Sequence, residues 1–159
     1  MRTLLLGYGL TAAFVVLSGA VLPERVASHF DAGGAANGYL PRSMYLLTML
    51  VVCALPVLAC LAAAASLRNP RARINLPHRA VWLAPDRREE TVRRIRRGMG
   101  QFSACLLVFL WYVQWLVVRA NRHSPAHLPT AWMLGGLVVF VVVTVVWLRG
   151  FLGQFRKVP

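Results

Sequence analysis

Residues 86–122 read DRREETVRRIRRGMGQFSACLLVFLWYVQWLVVRANR, and the change of character inside this stretch decides the fold. Arg87, Arg88, Arg93, Arg94, Arg96 and Arg97 crowd its first part. Residues 100–118 then carry no charged side chain, and charge returns at Arg119 and Arg122. A bilayer core about 30 Å thick takes roughly 20 apolar residues as a helix. Three further uncharged blocks of similar length occupy residues 3–22, 44–67 and 131–148. Hydrophobic residues make up 58% of the 159-residue chain, against roughly 45–50% in soluble domains. The sequence therefore predicts an all-α integral membrane protein, one domain over residues 1–159 with four transmembrane helices. A signal peptide is the competing reading of the first block, with Ser18-Gly19-Ala20 as cleavage site. Two features oppose it: the run exceeds the roughly 7–15 apolar residues of such peptides, and three spans follow.

The formal charge of +13 comes from 18 basic and 5 acidic residues. Ten of the arginines lie in the loop 68–99, and with Asp86, Glu89 and Glu90 that loop nets +7. Basic loops stay in the cytoplasm, so the expected topology is N-in/C-in, with outer loops 23–43 and 119–130. Arg2, Arg149, Arg156 and Lys157 then also fall inside. In the first outer loop Glu24, Arg25, Asp31 and Arg42 cancel; Arg119 and Arg122 stand outside, against the trend. The expected partner of the basic surface is anionic lipid headgroups, at about 1 kcal/mol per residue near the surface, and not nucleic acid.

Within the spans, Gly9 and Ala13 form a small-xxx-small pair expected to pack helices closely. Pro56 is expected to kink the second span, followed by a smooth alanine face at Ala59 and residues 62–65. Gln114 is an amide inside the third span, expected to bond a neighbouring helix. Trp111, Tyr112 and Trp115 read as an interfacial belt. Cys53, Cys60 and Cys105 read as small packing groups without a disulfide framework. No catalytic motif is present, and no ionisable group lies in the four cores to mark an ion path. The expectation is a non-enzyme with no cofactor and no metal.

The first outer loop, LPERVASHFDAGGAANGYLPRS over residues 22–43, is longer than a connector needs. Asn37-Gly38 predicts a tight turn with φ > 0 at both residues. His29, Phe30, Asp31, Asn37, Gly38 and Tyr39 are the candidate ligand-binding residues. His29 and Asp31 alternate, so they can point the same way and take a peptide, a headgroup or an ion. The alternative is that both cap turns and anchor the loop. His123 and His127 lie in the other outer loop, but Pro125 between them argues against a helical metal-binding pair.

Leu22-Pro23-Glu24-Arg25-Val26, His29-Phe30-Asp31, Gly34, Asn37-Gly38 and Pro41-Arg42 resemble, in order and spacing, the signature of the SdpI-like immunity-protein family. There too the motif follows a first transmembrane helix. The resemblance covers residues 1 to about 50. It implies a bacterial multi-pass protein of the cytoplasmic (inner) membrane. One relative protects its cell against a secreted toxin and holds a repressor at the membrane. Longer members carry more spans than this chain.

In the inner loop, Asp86 and Glu89 predict a capping-box helix start, with Glu89–Arg93 and Glu90–Arg94 as i,i+4 pairs. Val92, Ile95, Met99 and Phe102 share one face. The expectation is an amphipathic basic helix along the membrane surface. Asn75, Pro77, Trp82 and Pro85 read as a compact apolar-aromatic patch of the kind that docks on something. Candidate lipid- or partner-binding residues are therefore Asn75, Pro77, Trp82, Arg87, Arg88, Arg93, Arg94, Arg96 and Arg97. Two functional readings lead, a binding or regulatory protein of the SdpI-like type or an accessory subunit packed against a larger membrane complex; a membrane enzyme or carrier using the polar outer loop is the third. The partner is then a membrane protein or a second copy of the chain.

Overall fold

A computed structural model describes residues 2–69 and 72–156. The described residues include four helices long and apolar enough to cross a membrane: α1 (Arg2–Gly19), α2 (Arg42–Ser66), α4 (Arg88–Ala120) and α5 (Thr130–Arg156). A β-hairpin, β1 (Arg25–Phe30) and β2 (Ala36–Pro41), fills the first connection, and a single turn, α3 (Arg79–Trp82), precedes α4.

The helices α1, α2 and α4 pack pairwise. Their shared core contains Val15, Tyr45, Met49, Cys53, Val57 and Leu107. The stripe is legible in α2, where Tyr45, Met49, Cys53, Val57, Cys60 and Ala64 are buried at intervals of three and four. In α1 the buried stripe is Leu4, Thr11, Val15 and Gly19. The Gly9–Ala13 pair does not pack helices: both are exposed, and Gly9 faces open space. Gly19 takes the close approach instead, because a Cβ there would meet the Leu46 side chain at 2.3 Å.

One side chain ties the three helices through polar contacts. The Tyr45 hydroxyl donates to Gln114 Oε1 at 2.7 Å, and Gln114 Nε2 donates to Ser18 Oγ at 3.0 Å. Gln114 is fully buried. As the sequence predicts, it bonds neighbouring helices. Trp111 Nε1 donates to Thr11 Oγ1 at 2.8 Å, and Ser103 Oγ to the Pro56 carbonyl at 3.0 Å.

α4 is one unbroken helix of 33 residues. At 1.5 Å per residue it extends about 50 Å, well beyond a core of about 30 Å. The expected surface-lying basic helix is therefore a straight continuation of the span. Its apolar residues do not face lipid: Val92, Ile95 and Met99 join a second core with Ile74, Trp82, Phe151 and Phe155. Phe102 stacks on Trp147, with centroids 5.1 Å apart. α5 makes its main helix contacts with α4.

Replacing Gln114 with Leu removes two interhelical bonds, each about 0.6–2 kcal/mol in membrane bundles. The expected loss in reversible detergent unfolding is about 1–3 kcal/mol. A Tyr45→Phe/Gln114→Leu double-mutant cycle is expected to show coupling of about 0.6 kcal/mol or more. Strictly additive effects contradict the bond.

Candidate functional site

The hairpin grows out of the bundle. Leu22 and Val26 are buried in the core beside α1, α2 and α4, so the strand leaves the helices already anchored. Arg42 closes the base: its N–H donates to the Glu24 carbonyl at 2.8 Å and its Nη1 to the Leu22 carbonyl at 3.0 Å. The strands pair antiparallel, Val26 with Leu40, Ala27 with Tyr39, His29 with Gly38 and Phe30 with Ala36, with a register shift around Ser28.

The turn is not where Asn37-Gly38 predicts it. Both residues lie inside β2, and the chain reverses over residues 31–35. There the Asp31 N–H donates to the Ala35 carbonyl at 2.9 Å and the Gly34 N–H to the Asp31 carbonyl at 3.0 Å. The Asp31 carboxylate accepts from the Ala35 N–H at 2.9 Å. Gly34, with φ of +91°, is the one glycine among the described residues in the left-handed region. The reason for the shift is docking. The Gly34 carbonyl accepts from the Leu128 N–H at 2.8 Å, and Ala35 bridges antiparallel to His127. A Cβ on Gly34 would sit 2.1 Å from the Leu128 carbonyl oxygen. Gly38 is small for another reason: a Cβ there would come within 2.9 Å of His29 Cβ.

Asn121, which the sequence reading passed over, fastens the other edge. The Ala27 N–H donates to its Oδ1 at 2.8 Å, and its Nδ2 donates to the Ala27 carbonyl at 3.0 Å. Nδ2 also donates to the Val117 carbonyl at 2.9 Å, which fixes the side chain at the end of α4. The only signal in the sequence was an amide three residues past the end of an uncharged span.

The candidate residues consequently divide. Phe30 packs against the core, Asp31 caps the turn and Gly38 relieves the approach of His29, so these three build the hairpin. His29, Asn37 and Tyr39 are exposed. The His29 ring Nδ1 lies 3.0 Å from Ser28 Oγ. Beside the hairpin, the Arg119 guanidinium rests on two indoles, 5.5 Å from Trp115 and 4.9 Å from Trp132. Among the described residues, no cluster of three or more His, Cys, Asp or Glu could hold a metal.

At the opposite, basic end Trp82 is not an open docking patch. It is buried, donates from Nε1 to the Phe155 carbonyl at 3.0 Å, and packs edge-on against Phe155. Its own carbonyl accepts from Thr91 Oγ1 at 2.7 Å. The patch thus docks on its own chain, while Asn75, Pro77 and Pro85 stay exposed. The capping box does not form: Arg87 takes the N-cap position without a side-chain cap bond, and Asp86 pairs instead with Arg87 at 3.6 Å. Of the two expected helix pairs, Glu90–Arg94 forms, whereas Glu89–Arg93 is absent among the described residues. Arg88 donates to the Asn69 carbonyl at 2.8 Å. Arg93 and Arg97 are exposed and Arg96 half-buried.

Two substitutions test the docking. Asn121→Ala removes both bonds to Ala27, at roughly 1 kcal/mol each, and is expected to speed hydrogen exchange at the Ala27 amide about tenfold or more. Gly34→Val is expected to loosen the hairpin more than Gly38→Val, since it combines a disallowed φ with a backbone clash. Proteolysis of reconstituted protein reads the order; equal effects contradict the assigned turn.

Residues 6–59 match a family described as a domain of unknown function (DUF1648). The matched stretch holds most of α1, the whole hairpin and α2 as far as Ala59. No curated protein and no solved structure matches the chain significantly.

Proposed function

We propose that the chain is a non-enzymatic membrane protein of the SdpI-like type, seated in the cytoplasmic membrane of a bacterium. On this reading it binds or senses a ligand on the outer side and serves immunity or regulation. The observation that carries the reading is the fastened hairpin. A connector of this length needs no Asn121 clamp and no Gly34 dock, yet both hold the backbone while His29, Asn37 and Tyr39 stay open. Asn37 and Tyr39 project from one face of β2, an amide beside a phenol, while the His29 imidazole stands over Gly38 on the other face. That chemistry suits a peptide or a polar headgroup.

The orientation follows from charge. The basic segment of α4 and the loop before it belong in the cytoplasm, with both termini, and the hairpin lies outside. The arginines of that segment face anionic headgroups. A second reading, an accessory subunit, is favoured by α5, where Val138, Val139, Val142 and Val146 are exposed. A stoichiometric partner co-purifying in mild detergent supports it.

Two experiments test the main reading. A cytoplasmic reporter fused after Pro159 is expected to be active, and a periplasmic one silent; the reverse refutes the orientation. In a growth-protection assay against toxic peptides secreted by the source bacterium, His29→Ala and Tyr39→Ala are expected to abolish protection at unchanged membrane levels. Asp31→Ala is expected to act differently, lowering the amount of folded protein, because its carboxylate caps the turn. Full protection by all three variants overturns the hairpin as a binding site.

A further inference from the structure

Along α4, Arg97, Gln101, Ala104, Val108, Trp115 and Arg119 recur at helical spacing and are all exposed. α1 packs on one side of this strip, with Leu4 beside Gly100 and Leu107 beside Gly7. α5 packs on the other, with Phe151 against Gly98 and Phe140 stacked on Phe109. Three cavities follow the strip. One of about 590 Å³ lies at its basic end, where Glu90, Arg93, Arg94, Arg97, Gln101 and Gln154 are among the lining residues. A second, of about 540 Å³, runs between α1 and α4 from Arg96, Arg97 and Gln101 to Gly7 and Leu107. A third, also about 540 Å³, is apolar and runs between α4 and α5 past Val108, Phe109, Gly136 and Phe140.

We propose that this strip holds one anionic glycerophospholipid of the cytoplasmic leaflet. The phosphate meets Arg97, flanked by Arg93 and Arg96; the glycerol esters meet Gln101. One acyl chain runs into the α1–α4 cavity and the other into the α4–α5 groove. Charge selects an anion: among the described residues, Arg96 and Arg97 form no ion pair with a carboxylate, and Glu90, which lines the head cavity, is paired with Arg94 and feels Arg93 only at longer range. Gly100 lines the α1–α4 cavity; at Gly136, on the α4–α5 groove, the missing side chain admits the Tyr112 ring, which a Cβ would meet at 2.1 Å. Arg97 and Gln101 line both the head cavity and the α1–α4 cavity, so a single headgroup reaches both. A diffuse basic surface explains attraction to lipid but not a cavity on each side of a shared arginine. The inference rests on the orientation proposed above only for which leaflet supplies the lipid.

The test is native mass spectrometry of the full chain in detergent, titrated with phosphatidylglycerol or phosphatidylcholine of identical chains. One phosphatidylglycerol is expected to remain bound, about tenfold or more tighter than phosphatidylcholine. Arg97→Gln is expected to reduce its retention about tenfold. Ala104→Leu, at an exposed position, is expected to weaken retention by filling the chain cavity while leaving the helical circular dichroism unchanged. Arg79→Gln, on α3 away from the strip, is expected to change nothing. Equal binding of both lipids, or an equal loss with Arg79→Gln, overturns the site. Displacement of the lipid by free glycerol 3-phosphate also overturns it, by assigning the arginines to soluble phosphate. Detergent exposes both faces, so an error in orientation leaves this result untouched and shows only in the reporter fusions.

Discussion

A strand edge that emerges at a membrane boundary leaves peptide groups without partners, and where water is excluded each such group costs several kcal/mol. Here the edge of β1 finds its partner in one side chain. The Asn121 amide gives and takes a hydrogen bond at Ala27 as a neighbouring strand would. At the tip, the Gly34 carbonyl and the Ala35–His127 bridge do the same with backbone. A lone two-stranded hairpin is marginal in water. These contacts, with Leu22 and Val26 set in the helical core, turn the first connection into a fixed surface.

The same helix that carries Asn121 at one end carries the basic residues at the other. Between them Gln114 binds α4 to α1 and α2. α4 thus contacts the hairpin, the three-helix core and the Trp82–Phe155 cluster. The two ends of the molecule differ in chemistry: exposed polar and aromatic groups on a small sheet at one, arginines above apolar cavities at the other. One continuous helix, α4, joins them.

The helices were legible because four uncharged runs admit little else in a chain this apolar. Gln114 was legible for a related reason, since an amide in such a run needs a neighbour. Local signals failed where tertiary contacts decide. Asn37-Gly38 is a strong turn pair, but the Asp31 cap and the fit of Gly34 against Leu128 set the reversal earlier. Gly9–Ala13 matched a packing motif, yet the buried stripe of α1 runs through Thr11, Val15 and Gly19. Trp82 looked available because the sequence cannot show that Phe155, far along the chain, covers it. Of the candidate residues, His29, Asn37 and Tyr39 are exposed, whereas the clamp that holds their hairpin lies nearly a hundred residues from the strand it binds.

The fixed surface depends on the hairpin being docked to the second connection. The direct measurement is a disulfide between Ala35→Cys and His127→Cys, in protein whose Cys53, Cys60 and Cys105 are changed to alanine. Antiparallel bridge partners lie about 4.5–5.5 Å apart at Cα, within the reach of a disulfide. The account predicts near-complete cross-linking in native membranes under mild oxidation, with little at the control pair Ala36→Cys and His123→Cys. Failure of the first pair, or equal cross-linking of both, would show a hairpin that moves freely and would contradict the account.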